Sequence, residues 1–324
     1  MEAFYSFLGP SLQRVESIIE DALRTDVSLL ESTNLSLRKH PGKMMRPSLA
    51  LLCAQACGIP NEDTLKFAAA AELLHNATLL HDDVVDGATE RRGLPTVASL
   101  LNPRASVLIG DYWLVKAVQT ILSSSSCTDR VIRIFSGTLS HLAEGELLQM
   151  EKAQTGDTNQ EDYERIIYCK TASLFEASAL TAAISVAAPE TEIRAFGEFA
   201  RLLGLAFQIK DDWMDYACSS ETLGKPVGID LREQKITQPL LSALAEVNAD
   251  QAARIRGKVT RIAEHPELEQ EVRDFVLSHG GVEKCAMKVD EYIDKAIAIL
   301  DFLPDGEPKA RLIKMARHVG DRGK

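Results

Sequence analysis

Twice in this chain an apolar helical run ends in three aspartates at the same spacing, D-D-V-V-D at Asp82, Asp83 and Asp86, and D-D-W-M-D at Asp211, Asp212 and Asp215. On a helix, residues four apart share a face, so Asp82 and Asp86 point the same way with Asp83 close beside them. The run into the first trio (Ala68 to Ala71, Leu73, Leu74, Leu79, Leu80) is apolar enough to be buried, and three like charges placed there repel. One such cluster alone reads most simply as a solvated helix cap. Its recurrence argues instead for compensation by a hard divalent cation, because Mg²⁺ is held by one or two carboxylates together with substrate phosphates. Basic residues trail both trios, Arg91 and Arg92 after the first, Lys225 and Lys235 after the second. Guanidinium groups suit phosphate oxygens, which they grip with two bonds. The clusters therefore read as two walls of one metal and diphosphate site.

The segments between them are helical by pattern. Apolar positions predict an opening helix from Leu12 to Leu30 and a second one from Lys43 and Arg46 through Cys57, ended by Gly58 and Pro60. Lys43 and Arg46 stand at a helix start, where cations are electrostatically disfavoured, which suggests an anion to bind. Pro103 opens a helix carrying G-D-Y-W, the Ser123 to Ser126 run is a loop, and a long helix spans Asp129 to Glu151. Its Glu144, Glu146 and Gln149 are most simply ordinary helix polars. Further helices are expected over Glu161–Ala188 and Glu192–Tyr216, with a mobile loop from Cys218 to Lys235 and broken helical segments from Thr237 to Arg317. No convincing period-2 run and no internal repeat occurs, so the expected fold is all-α: about ten or more helices around one core, in a single domain over residues 1–324.

Charge and composition exclude several classes. Lys and Arg total 36 against 47 Asp and Glu, a net charge of -11, which leaves no broad basic face for nucleic acid. The six cysteines show no zinc-finger spacing and suit a reduced, cytoplasmic protein. The N-terminus lacks a secretory signal, and no run of about 18 apolar residues is evident, so no membrane span is expected. A peripheral membrane contact for product release stays open.

Taken together, G-K-M-M-R-P (Gly42 to Pro47), the first trio, G-D-Y (Gly110 to Tyr112), E-G-E-L-L-Q (Glu144 to Gln149), K-T-A (Lys170 to Ala172), the second trio and K-I-T-Q-P (Lys235 to Pro239) resemble the all-trans polyprenyl diphosphate synthases. The resemblance covers most of the chain. It implies a helical bundle around a central cavity, a homodimer formed through apolar helices such as Gly110 to Leu122, and Mg²⁺, three ions once substrate is bound. It implies Asp82, Asp86 and Asp211 as metal ligands supported by Asp83, Asp212 and Asp215. Lys43, Arg46, His75 and Arg92 would hold isopentenyl diphosphate. Arg91, Lys170, Thr171, Gln208, Lys225 and Lys235 would face the allylic diphosphate. The sequence departs from the common pattern with Pro41 before Gly42 and Met44 where a basic residue is usual, which leaves the geometry of that loop open.

Product length is read from the helix below Asp82. Ala77 and Thr78 are small where short-chain enzymes of this kind place Phe or Tyr, so the expected product is long. Leu74 and Phe67 lie further down the same helix, Phe67 about 22 Å below Asp82 at about 1.5 Å per residue. Phe67, or Phe135 from the long helix, is the candidate floor, each being equally readable as a plain core aromatic. The expected products lie at about C30 to C50, with C40 in the middle, as quinone side chains. Three alternatives remain: a short-chain (C15 to C20) synthase, a non-catalytic subunit of a heteromeric synthase, and a class I terpene cyclase. The cyclase fits least, because its second metal motif carries Asn, Ser or Thr and Glu where this chain has D-D-W-M-D.

Overall fold

A 3.6-residue apolar period runs through nearly every segment, and the computed structural model is helical to match over the residues it describes, 2–39, 42–91, 93–218 and 227–322. In order these are α1 (Glu2–Leu23), α2 (Ser28–Arg38), α3 (Met45–Cys57), α4 (Glu62–Val85), α5 (Val97–Leu100), α6 (Pro103–Leu122), α7 (Asp129–Thr155) and α8 (Gln160–Ile167). There follow α9 (Ser173–Ser185), α10 (Glu190–Ala217), α11 (Ile229–Arg232), α12 (Gln238–Leu244), α13 (Ala249–Val259), α14 (Glu267–Ser278), α15 (Gly281–Ile299) and α16 (Glu307–Asp321). A π-helical turn, Tyr168–Ala172, joins α8 to α9. Among the described residues the strands are β1 (Glu90–Arg91) and β2 (Leu94–Pro95), paired antiparallel. The all-α expectation holds.

The chain divides into two compact units. The first takes the described residues of Met1–Gly137, Leu174–Ala200 and Phe302–Leu312. Its core is built on α4, where Phe67, Ala68 to Ala71, Leu73, Leu74 and Ala77 are all buried. A capping box fixes where α4 starts: Asn61 Oδ1 accepts from Thr64 N and Thr64 Oγ1 accepts from Asn61 N. Gly110 lets α6 lie close against α4, because a Cβ there would come within 2.4 Å of His81 Nε2 and 3.2 Å of Ala77 O. Ser106 Oγ then ties the two helices by donating to Leu80 O at 2.8 Å.

The second unit takes the described residues of Thr138–Ser173, Arg201–Asp301 and Ile313–Lys324. Leu202, Leu203, Leu205, Ala206 and Ile209 of α10 are buried in it. Gly281 at the start of α15 sits so close to α12 that a Cβ would meet Pro239 O at 2.4 Å.

Three expectations need correction. The opening helix is two helices, because Thr25 and Glu31 side chains capture local backbone: Thr25 N donates to Glu31 Oε2 (3.2 Å) and Val27 N to Thr25 Oγ1 (3.3 Å). The helix expected over Glu161–Ala188 contains the π turn, which no residue type announces. The third concerns membrane-length helices: α6 is, by length and composition, long and apolar enough to cross a membrane, with a best-window mean hydropathy of 1.2. Asp111 and Lys116 break its apolar run without lowering the average enough to matter. Ile109, Trp113, Ala117 and Ile121 of α6 are buried, whereas Leu108, Val115, Val118 and Leu122 are exposed.

Candidate active site

The first aspartate trio sits where a helix least favours it. Asp86 closes α4, its N–H donating to Asp82 O at 2.8 Å, and Gly87 turns the chain away at φ +61°. The carbonyl end of a helix carries partial negative charge, so three carboxylates in its last turn add like to like. Asp83 is buried, and burial pushes its carboxyl above the usual range against the pull of Arg91. The β1–β2 hairpin brings Arg91 back along α4, where its Nε donates to Asp83 Oδ1 at 2.6 Å. Thr96 locks that return: its N–H donates to Thr89 O (3.0 Å) and its Oγ1 to Ala88 O (2.8 Å).

Around this trio the first unit places the other residues singled out in the sequence. His75 is half-buried on α4, two turns before Asp82. Met44 enters α3 in the left-handed region (φ 48°, ψ 35°), uncommon for a residue with a side chain. Beside it Lys43 is exposed, while Arg46 is buried with its guanidinium 4.8 Å from the centre of the Phe175 ring. Below the trio, Ala77 and Leu74 are fully buried and Thr78 Oγ1 bonds back to His75 O at 2.8 Å. Phe67 and Phe135 are both buried, with ring centres 6.2 Å apart. Arg92 lies outside the described residues.

The second trio is held by a hydrogen-bonded chain within the second unit. Thr171 Oγ1 donates to Gln208 Oε1 (2.8 Å), Gln208 Nε2 to Asp212 Oδ1 (2.8 Å), and Tyr163 Oη to Asp212 Oδ2 (2.6 Å). Burial, and then the charges of Asp211 and Asp215, push the Asp212 carboxyl up to about 6 despite those bonds. Asp215 accepts from the N–H groups of Ile229 (3.2 Å) and Asp230 (3.1 Å) at the start of α11. Asp211 accepts from Arg322 Nη1 at 2.9 Å. Lys170, in the π turn, pairs with Glu146 Oε2 at 2.5 Å. A cavity of about 140 Å³ is lined by Lys152, Lys170, Lys235, Gln208, Asp212 and Asp230 among others. Lys235 also pairs with Glu233. Lys225 and the centre of the expected mobile loop lie outside the described residues, whereas Ile229–Arg232 is a short helix.

Four contributors lack a sequence signal. Tyr163 and Arg322 reach the trio across 49 and 111 residues, too far for any local pattern to reveal. Asp230 is buried, its carboxyl raised by burial and by Asp212 and Asp215, and its Oδ2 has no hydrogen-bond partner. Glu146 is neither idle nor catalytic in position, since it anchors Lys170.

Among the described residues no three His, Cys, Asp or Glu side chains form a ready-made metal cage. The donor chemistry still fits Mg²⁺, which takes few protein carboxylates and completes its shell with water and phosphate oxygens. Asp83, Asp212 and Asp230 all have carboxyls raised by burial, as expected of acidic groups short of positive charge.

Comparison with known proteins decides the lineage. The polyprenyl synthetase family profile matches residues 27–276. The chain belongs to the polyprenyl synthetase family. Enzymes of that family are prenyltransferases, and so is this one. Octaprenyl diphosphate synthase of Escherichia coli (strain K12) is 36% identical over 316 residues, 98% of this chain and 97% of that protein. Polyprenyl synthase from Caulobacter crescentus CB15, solved in complex with calcium and isoprenyl diphosphate, superposes with a TM-score of 0.91 at 31% identity, covering 99% of this chain and 97% of that one. Decaprenyl diphosphate synthase from Rhodobacter capsulatus matches equally well: TM-score 0.91, 31% identity, 100% of this chain and 99% of that one. A divalent cation in the Caulobacter complex agrees with the donor chemistry of the two trios.

Proposed function

We propose that this chain, as one synthase domain over residues 1–324, condenses isopentenyl diphosphate with an allylic diphosphate (farnesyl or geranylgeranyl) in the cytoplasm. The product is a long all-trans polyprenyl diphosphate of about C30 to C50, with C40 favoured, for a quinone side chain. The observation that carries the length is the level beneath Asp82, where α4 presents Ala77 and Thr78 rather than a ring. The first deep aromatic pair along that helix is Phe67 with Phe135, which we assign as the floor. The octaprenyl and decaprenyl relatives support a long product over a short one.

Bound Mg²⁺, three ions with substrate in place, supplies the charge neutralisation that makes diphosphate a leaving group. Asp82, Asp86 and Asp211 would hold it, with Asp212 and Asp215 in support. Asp83 acts through Arg91, fixing that guanidinium for the allylic diphosphate. Lys170, Thr171, Gln208 and Lys235 bind the same group, with Lys225 joining them. Lys43, Arg46, His75 and Arg92 take isopentenyl diphosphate. The allylic C–O bond breaks, the isopentenyl double bond adds to the cation, and a proton leaves to the released diphosphate, so no side-chain base or nucleophile is needed. Leu108, Val115, Val118 and Leu122 leave an apolar face on α6 that suits the packing of a second copy as a homodimer.

The test is incubation of purified protein with Mg²⁺, labelled isopentenyl diphosphate and farnesyl diphosphate, with chromatography of the dephosphorylated products. A ladder reaching C30 or beyond is the expected result. A stop at C15 or C20 retains the chemistry and overturns the length assignment; no product at all points to a non-catalytic subunit.

A further inference from the structure

Arg322 directly follows α16, and its side chain is only 8% exposed. The guanidinium is fixed three ways: Nη1 donates to Asp211 Oδ1 at 2.9 Å, Nη2 to Phe207 O at 2.8 Å, and its carbon lies 3.8 Å from the centre of the Phe207 ring. Within the second trio this arrangement is peculiar to Asp211. Asp212 is held by the neutral donors Tyr163 and Gln208, and Asp215 by backbone N–H groups. Asp211 alone is matched to a full positive charge brought from the far end of the chain.

We propose that Arg322 is a displaceable counter-ion, holding Asp211 in the metal-free chain and yielding it to a divalent cation, so that metal binding frees the end of α16. The proposal rests on the second trio being a metal site. A divalent ion on Asp211 and a guanidinium on the same carboxylate repel, and arginine cannot relieve the conflict by losing its proton. Movement is the remaining relief. The other two anchors, a carbonyl and a ring face on one turn of α10, do not hold Arg322 against that repulsion, and little chain follows it. Coupling of this kind is reciprocal: if metal weakens the Arg322 contact, then loss of Arg322 must tighten metal binding by the same factor.

The experiment is calorimetric titration of Mn²⁺ into the full-length, metal-free protein for wild type, Arg322→Gln, Arg322→Lys and Asp211→Asn. Amide hydrogen exchange over residues 313–322 is followed with and without Mn²⁺. Arg322→Gln should bind Mn²⁺ about fivefold more tightly or better, with Arg322→Lys in between, since coupling of about 1 kcal/mol or more corresponds to that factor. In the wild type, Mn²⁺ should speed exchange at the end of α16, a readout that stands even if a variant folds poorly. Mn²⁺ binding that is lost in Asp211→Asn but equal or weaker in Arg322→Gln, or unchanged exchange on Mn²⁺ addition, overturns the counter-ion and leaves the metal site intact. No Mn²⁺ binding to wild type or Arg322→Gln overturns both together.

Discussion

Arg91 Nε donates to Asp83 Oδ1 at 2.6 Å, joining the hairpin after α4 to a carboxylate that is itself 5% exposed. The bond turns an aspartate that reads in sequence as one of three equal metal ligands into the anchor of a phosphate-binding group. Two of the trio stay available for cation; the third sets where the arginine points.

That relation separates the roles by mutation. Arg91→Ala leaves a buried carboxylate without its cation and should cost about 1–3 kcal/mol, discounted from a fully buried pair because Arg91 is partly exposed. Asp83→Asn should cost less, since the amide oxygen still accepts. A double-mutant cycle by urea denaturation should give a coupling of about 1 kcal/mol or more between the two. Additive losses would mean that the pair does not act as a unit.

Removing a metal-facing carboxylate should instead spare stability and abolish turnover. Asp82→Ala is expected to reduce the rate of prenyl transfer by orders of magnitude with an essentially unchanged melting temperature, because it relieves repulsion at the end of α4. Near-normal turnover by this variant would remove the first trio from the site.

Length control makes opposite predictions at two levels of α4. Ala77→Tyr places a ring one turn below Asp82 and should truncate the product to about C15 or C20, while Phe135→Ala opens the floor about 15 Å lower and should lengthen it. Chromatography of dephosphorylated products reads both. Both positions are buried, so overpacking or a cavity will cost stability, but only a tunnel along α4 predicts that the two changes move product length in opposite directions.

A structural aspartate sets part of the acid sensitivity. Burial of Asp63 would raise its carboxyl, yet the backbone N–H and hydroxyl groups of Ser125 and Ser126 donate to it and hold it well below the usual range. A depressed folded value adds stability above the unfolded value, about 3.9, and loses it as pH falls toward the folded one. Asp63→Asn should therefore cost about 1–3 kcal/mol near neutrality, with the gap to wild type closing progressively below about pH 4. A gap that is constant with pH would show that ionised Asp63 does not contribute in this way.

What the sequence could reveal was whatever repeats within a helical turn. The trios, the apolar run beneath Asp82 and the Lys170–Thr171 pair are all local patterns, and each stands on the element expected for it. The break at Thr25 turns on side chains competing for backbone, a balance too close for pattern alone. Tyr163, Asp230 and Arg322 come to the second trio through chain folding, and nothing in their own neighbourhoods marks them.

The π turn at Tyr168–Ala172 is the least legible feature, yet it positions Lys170, and Gly145 permits it. A Cβ on Gly145 would lie 2.6 Å from Cys169 Cβ, 3.0 Å from Lys170 Cγ and 3.2 Å from Lys170 N. The first of these atoms is fixed to the backbone and cannot swing aside, so Gly145→Ala must push the turn away from α7. Lys170 then loses its register with Glu146, and the diphosphate loses a positioned cation. The KM for the allylic substrate should rise roughly tenfold, which about 1.4 kcal/mol of lost binding produces, with a smaller change in kcat. Cys169→Gly in the same background removes the atom that is struck and should restore KM, although a glycine in a helix costs about 1 kcal/mol of stability. A merely structural role for Gly145 predicts the reverse: melting temperature falls, KM holds, and the second substitution makes matters worse.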